Sequence, residues 1–308
     1  MGGAVISMDV KNQHDIKFTF RDSARILQGS LDGLCRELKP KYMKLSDHKF
    51  DFDSLNAVTI NDPAISEEIL EYLKHDCLSL AQIMCEFREQ LIIDPKINID
   101  ITECFTGATL AKKLFFQNYY WRYCQKKTNT YIFELNRALD TDIRRSYFGG
   151  RCDIYKYGKI NGDIYYYDFT SLYPAMGSKY LYPIGEPVRV EGQDIDIEKF
   201  YGFIQVSVTT NPEVLPLHGH KYEGKLVFAN HVNTSMMLFS EEIKYGMSLG
   251  YTYKFDYGYR FATSPILRDI MEDGFKLKAE AKTKGQSILE RTWKILINSA
   301  YGFFGLRW

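Results

Sequence analysis

Long apolar runs are missing from this sequence. No uncharged hydrophobic stretch approaches the ~18 residues that argue for a membrane-spanning helix, so no membrane partner is expected. The N-terminus, Met-Gly-Gly-Ala-Val-Ile-Ser-Met-Asp, lacks the basic region and apolar stretch of a secretory signal. That absence carries little weight if the chain begins in mid-domain. Paired cysteines are missing too. The six cysteines (35, 77, 85, 104, 124 and 152) never fall in a C-x-x-C spacing. This argues against a zinc site or a disulfide framework and fits a reducing compartment. There is no internal repeat and no low-complexity tract. Net charge is absent as well, with 39 basic residues against 39 acidic ones. Nucleic-acid binders often carry a global basic excess, so the total alone argues mildly against that class.

What is present is a chain of 308 residues with 45% hydrophobic content. It reads as soluble and globular, long enough for one large domain or two ordinary ones. Its charges are unevenly spread. From Ala111 to Lys127 there are five basic residues and no acid, interleaved with Phe115, Phe116, Tyr119, Tyr120, Trp121 and Tyr123. From Lys276 to Lys294 six basic residues stand against Glu280 and Glu290. Cations pair with phosphates and aromatic faces stack on bases, so this mixture suits single-stranded nucleic acid. An amphipathic helix with a solvated basic face would look the same.

Alternation at Ile16, Phe18 and Phe20 predicts a strand, and Arg21-Asp22-Ser23 then opens a short helix. A charge-rich loop is expected up to about residue 62. Ser66-Glu67-Glu68 looks like a helix start with acids in its first turn. Apolar residues at 69, 70, 73, 77, 80, 83, 84 and 87 continue that helix. Helical patterns return at about 106–127 and 264–301, the second ending near Tyr301-Gly302. Residues 145–170 read as Gly-containing turns and short aromatic strands, and 186–262 as alternating patterns with turns. His218-Gly219-His220 could suggest a metal site, but without a further ligand cluster nearby it reads as a loop.

Two constellations carry chemistry. In the first, Asp168-Phe169-Thr170-Ser171-Leu172-Tyr173-Pro174 follows an expected aromatic strand, Ile164 to Tyr167. A carboxylate at a strand end before a tight turn is placed to hold a hard divalent cation. Amides at Ser171 and Leu172 could face phosphate oxygens, and Tyr173 would offer a flat ring at sugar height. The acid could equally be a structural cap. In the second, Lys294, Asn298 and Tyr301 fall at i, i+4 and i+7 and line one helix face. An Asn or Tyr donor aimed at the minor-groove acceptors shared by all base pairs tests pair shape without reading sequence. A core helix with a polar edge is the alternative.

Together, and in this order, these segments resemble motifs A and B of family B DNA polymerases. Asp168 and Ser171-Leu172-Tyr173-Pro174 match motif A; Lys294, Asn298, Ser299, Tyr301 and Gly302 match motif B. Tyr147-Phe148-Gly149-Gly150-Arg151 resembles the Tyr-x-Gly-Gly element of the protein-primed branch, which binds template between the exonuclease and polymerase modules. Two glycines let a phosphodiester approach closely, while Tyr147 and Arg151 can stack or pair. Tyr72-x-x-x-Asp76 resembles the third exonuclease motif, with phenol and carboxylate on one helix face. Lys49 is a candidate for a supporting lysine.

The resemblance implies an α/β plus α fold: the C-terminal remnant of an RNase H-like 3′–5′ exonuclease module, then palm and fingers. Its boundaries would be exonuclease at 1–135, linker at 136–155, palm at 156–262 and fingers helices at 263–308. An insertion at about 186–262 would contact a terminal, priming protein. Two Mg²⁺ ions would be held by Asp168, the Phe169 carbonyl and a second carboxylate, with Asp76 a ligand on the exonuclease side. The dNTP would meet Ser171, Leu172, Tyr173, Lys294, Asn298 and Tyr301, and template and primer DNA would meet residues 147–151. The chain departs from the pattern in several places. Neither the first nor the second exonuclease motif is found, and the Asp-Thr-Asp of motif C does not follow motif B. Asp140-Thr141-Asp142 precedes motif A and is rejected as its substitute. Glu290, with Arg291 beside it, stands where many members have a basic residue. A fragment, or a catalytically dead nucleic-acid-binding remnant, is therefore expected. The Asn-Ser-Ala-Tyr-Gly-Phe-Phe-Gly-Leu-Arg ending leans toward an organellar linear plasmid or its relic, hence a mitochondrial location.

Overall fold

The computed structural model describes residues 7–45, 62–123 and 131–305. In chain order they open with strands β1 (Ser7–Lys11) and β2 (Lys17–Arg21) and helices α1 (Leu31–Leu38) and α2 (Pro63–Ile93). Helices α3 (Gly107–Leu114), α4 (Tyr120–Tyr123), α5 (Arg137–Ile143) and α6 (Leu172–Lys179) follow. Strands β3 (Tyr182–Glu191), β4 (Gly202–Thr209), β5 (Gly219–Tyr222), β6 (Lys225–Phe228) and β7 (Thr234–Phe239) lead to α7 (Ser240–Ser248). The last elements are β8 (Thr252–Ser264), α8 (Arg268–Thr283) and α9 (Ser287–Ser299). The chain divides into two compact units. One takes Met1–Trp121, Ser171–Tyr180 and Leu267–Trp308; the other takes Arg122–Thr170 and Leu181–Ile266.

In the first unit β1 and β2 form an antiparallel hairpin, as the alternation up to Phe20 predicts. The helix expected after Arg21 is a single 3-10 turn, Ser23–Arg25, capped by the Asp22 carboxylate. The charge-rich stretch beyond it is not all loop. Ser30 caps α1 by accepting from the Gly33 amide, and Leu34 and Cys35 are buried on its inner face. Helix α2 begins at Pro63, earlier than Ser66, because proline suits the first helical turn, where its missing N–H costs nothing. Its buried stripe runs through Ser79, Ile83, Phe87 and Leu91, while Leu70 and Leu73 stay exposed.

Helix α3 continues through a π-helical turn, Phe115–Tyr119, into α4. Phe115 and Tyr119 are buried there; Phe115 packs on Phe303 at 5.6 Å between centroids, and Phe116 on Tyr120 at 4.9 Å. Phe116 is partly exposed and Trp121 well exposed. The stretch read as helical over 264–301 holds two helices, α8 and α9. The break falls at Lys284–Gln286, where Gly285 takes a left-handed conformation (φ 67°) and its amide bonds back to the Lys282 carbonyl.

The second unit holds a four-stranded antiparallel sheet in the order β3-β8-β4-β7, and the β5-β6 hairpin forms a separate ladder. Ile204, Val206 and Val208 on central β4 pack with Phe200, Met236, Leu238, Ile243 and Tyr251 in one core. The alternating patterns read over 186–262 are these strands. The aromatic strand expected over 164–167 is not there: residues 147–169 carry no regular element, and Tyr166 is 92% exposed. A strand exists through its ladder, and among the described residues no strand pairs with this segment.

Candidate nucleotide and DNA interface

Helix α9 is built as its spacing requires. Trp293, Leu296, Ile297 and Ala300 are buried, while Lys294, Asn298 and Tyr301 are exposed along the opposite edge. Three contacts seat the helix. Ile295 lies against Gly107 of α3, where an added methyl group would come within 2.8 Å of it. Ile297 and Trp293 lie over Gly274 of α8. The Arg291 guanidinium bonds the Glu37 carboxylate and the Gln28 carbonyl, tying α9 to α1 and the turn before it. Arg291 is therefore a packing residue here. The helix closes at Ser299, so Tyr301 sits in the turn just beyond it.

Helix α6 belongs to the same unit. Ser171, just before it, has a left-handed backbone (φ 53°, ψ 48°) that turns the chain sharply, with the Ala175 amide donating to the Ser171 carbonyl. Gly177 lets α6 approach Met271 of α8, and Arg268 Nε donates to the Ser178 carbonyl at 3.1 Å. The result is a direct meeting of the two motif segments: the Tyr173 and Tyr301 rings stack at 4.6 Å between centroids and 14° between planes. Leu172 and Tyr173 are exposed on the same helix. Asp168 and Phe169 precede it as exposed residues of the other unit.

The Tyr147–Arg151 segment lies in the second unit. Tyr147 is exposed, and a side chain at Gly149 or Gly150 would meet no other described atom within 4 Å. Neither glycine has a left-handed backbone. Nothing inside the unit explains the pair. Arg151 is engaged: Nη1 donates to the Pro216 carbonyl at 2.6 Å and Nε to Asp153 at 2.5 Å. Just upstream, Asp140 pairs with Arg144 at 2.7 Å. Asp142 accepts from Tyr257 Oη at 2.8 Å, Tyr259 Oη at 3.0 Å and Arg145 at 3.0 Å. Burial pushes the Asp142 carboxyl upward, but these three donors outweigh it and hold it below the usual range. They fasten α5 to β8, a structural use of the Asp-Thr-Asp triplet. Asn136, Leu139, Arg145 and Tyr259 border an open depression of about 500 Å³ beside it.

On α2, Tyr72 and Asp76 share a face and meet a third group that sequence reasoning missed. Lys44 Nζ donates to Tyr72 Oη at 2.5 Å and to both Asp76 oxygens at 2.9 and 2.8 Å. Desolvation works against the ammonium, but the bonds to Asp76 and Tyr72 raise its pKa on balance. The suggested Lys49 lies outside the described residues. The only sequence signal for Lys44 is its place ahead of α2, too weak to choose among Lys39, Lys41 and Lys44.

His218 lies in the loop just before β5 but is buried, 1% exposed, while Gly219 and His220 begin the strand rather than continuing the expected loop. The His218 Nε2 lies 2.6 Å from Tyr253 Oη, and burial, with His231 adding, pushes its pKa down to about 4. His231 lies against His220, ring centroids 5.0 Å apart.

A divalent cation needs a cluster of ligands. Among the described residues no group of three His, Cys, Asp or Glu side chains is arranged to hold one. Asp168 is exposed, and both Asp76 oxygens accept from Lys44. The residues described do not make the expected Mg²⁺ site. No helix among them is long and apolar enough to cross a membrane.

Comparison with known proteins agrees with the family resemblance. Residues 41–308 match the family described as DNA polymerase type B, organellar and viral. The chain belongs to that family. A probable DNA polymerase of Podospora anserina is 30% identical over 94% of this chain and 25% of its own length. The DNA-directed DNA polymerase of Enterobacteria phage PRD1 is 28% identical over 59% of the chain and 27% of its own length. The fold is similar to that of Phi29 DNA polymerase. In an orthorhombic crystal form that enzyme gives a TM-score of 0.69 at 18% identity, covering 97% of this chain and 50% of the Phi29 chain. Its complex with primer-template DNA and incoming nucleotides gives 0.67. The chain thus spans about a quarter of its curated relatives and about half of Phi29 polymerase.

Proposed function

We propose that this chain is the nucleotide- and template-contacting section of a protein-primed type B DNA polymerase, whose whole carries out template-directed DNA synthesis. The Tyr173–Tyr301 stack carries the proposal. It joins motif A and motif B segments, far apart in sequence, into one aromatic floor with Lys294 and Asn298 along the same helix edge. Lys294 holds the triphosphate, the amides at Ser171 and Leu172 assist, and Asn298 and Tyr301 line the nascent pair. Tyr173 lies under the sugar and excludes a 2′-hydroxyl. Tyr147, Gly149 and Gly150 receive the template strand; the glycines, unexplained within the unit, leave room for a phosphodiester. Tyr72 and Asp76, with Lys44, are the remnant of a 3′–5′ exonuclease site. The sheet and hairpin over about 186–262 are the surface offered to a terminal protein. The incomplete palm is 156–262, with the exposed stretch ending at Asp168 near its start.

Asp168 is one carboxylate of the pair that phosphoryl transfer requires. Among the described residues no group of three His, Cys, Asp or Glu side chains is arranged around it to hold a metal. That same observation favours a second reading for the isolated chain, a nucleic-acid-binding section without catalysis. Both readings meet in one experiment. The expressed chain is titrated with dNTP and with primer-template DNA, then tested for primer extension in Mg²⁺. Binding without extension is expected. Lys294→Ala should weaken dNTP binding at least about tenfold, since a charge-assisted bond contributes ~1.5–3 kcal/mol. Absence of binding to either ligand would overturn both readings; extension would overturn only the second.

A further inference from the structure

The Gly-Gly element is tied to the second unit at both ends. Upstream, Asp142 accepts from Tyr257 and Tyr259 of β8, and Arg145 donates to the same carboxylate. Downstream, Arg151 reaches the approach to β5 through the Pro216 carbonyl, and its guanidinium lies 4.8 Å from the Phe228 ring at the end of β6. Phe228 also pairs in register with Gly219, so Arg151 grips the base of the β5-β6 hairpin rather than its tip. That base is firm: the Leu217 amide donates to Tyr251 Oη at 3.1 Å, and His218 meets Tyr253.

We infer that Arg151 is a positioning residue, latching the template-binding element to the β5-β6 hairpin so that a load on the hairpin is felt by the template strand. The inference rests on the proposed role of Tyr147, Gly149 and Gly150 in holding DNA. It assigns Arg151 a different job from phosphate pairing. Its Nε and one terminal nitrogen already donate within the unit, and one face lies over an aromatic ring, where a cation is held by the ring's negative face. Between the two anchors a side chain at Gly149 or Gly150 would meet nothing within 4 Å, so the anchors at either end are what set the element. A protein docking on the hairpin would thereby alter how the template sits, without touching it.

The test is a mutant cycle read by fluorescence anisotropy with a labelled oligothymidylate and the full chain. Arg151→Ala and Phe228→Ala should each weaken binding about tenfold, near the low end of what one stacked base contributes, and the double variant no further. Melting temperatures are recorded alongside. The milder pair Arg151→Lys and Phe228→Leu, read the same way, covers an alanine variant that melts early. If Phe228→Ala is silent while Arg151→Ala weakens binding and lowers the salt slope by about 0.7, Arg151 is a direct phosphate contact and the latch is wrong. If the parent chain binds and Arg151→Ala binds equally well, the latch alone is refuted. If the parent chain does not bind, the proposed function fails and this inference with it.

Discussion

Lys44, Tyr72 and Asp76 show how much a single side chain can hide from a sequence. The phenol and carboxylate were visible as an i, i+4 pair, because helix spacing is local. The ammonium came from outside the helix and left no pattern. With Lys44 on both carboxylate oxygens, a divalent ion can reach Asp76 only by displacing it. Lys44→Ala is therefore expected to strengthen Mn²⁺ binding by the chain several-fold, read by water-proton relaxation; unchanged affinity would mean that Asp76 takes no metal. His218 gives a second prediction. Neutral in the fold down to about pH 4, it is protonated in the unfolded chain below its ordinary value of 6.5. Unfolding in that window takes up a proton, so stability is full above pH 6.5 and falls as the pH drops toward 4. The loss should be about 3 kcal/mol, from 1.36 kcal/mol per pH unit. Urea melts across that range should show it, and His218→Gln should flatten the profile. The sequence offered His218 and His220 but not His231, which a strand pairing brings back against them.

At the scale of elements, α8 and α9 stand or fall on a close approach. A methyl group on Gly274 would strike Ile297 and come within 3.4 Å of the Trp293 ring, both buried. Gly274→Ala should cost about 1–3 kcal/mol as overpacking, despite alanine's better helix propensity, and should weaken dNTP binding by shifting Lys294. Thermal melting and nucleotide titration would check it; a stabilised variant with unchanged binding would show that the helices part freely. Helix α9 was legible because its polar edge and apolar face repeat within four residues. Helix α1 was not read: Ser30 and the Leu31, Leu34, Cys35, Leu38 spacing mark it, but its charges masked the pattern and the stretch was expected to be loop. The run Ile164 to Tyr167 has every local property of a strand. It fails to be one in this structure because a strand is defined by its neighbour, and composition does not say where the neighbour is. The sheet over 182–264 was visible as alternation, yet its order, β3-β8-β4-β7, puts the last strand between the first two and could not be read from the order in which they occur.

For the molecule as a whole, two cores imply two stabilities. Ile204 is fully buried in the sheet unit, and Ile204→Ala should cost ~2–5 kcal/mol there. Hydrogen exchange should then quicken in β3, β4, β7 and β8 while α8 and α9 keep their protection; loss in both would make the chain one cooperative body. The units are nevertheless interleaved along the backbone. Ten residues, Ser171–Tyr180, are claimed by the helical unit from between two stretches of the sheet unit. No uninterrupted piece of the gene therefore encodes the sheet unit alone. A product trimmed to 122–266 would carry α6 as a stranded passenger, deprived of the Arg268 and Met271 side chains that seat it. Anyone wishing to study the sheet in isolation must first splice those ten residues out and bridge the gap with a synthetic tether.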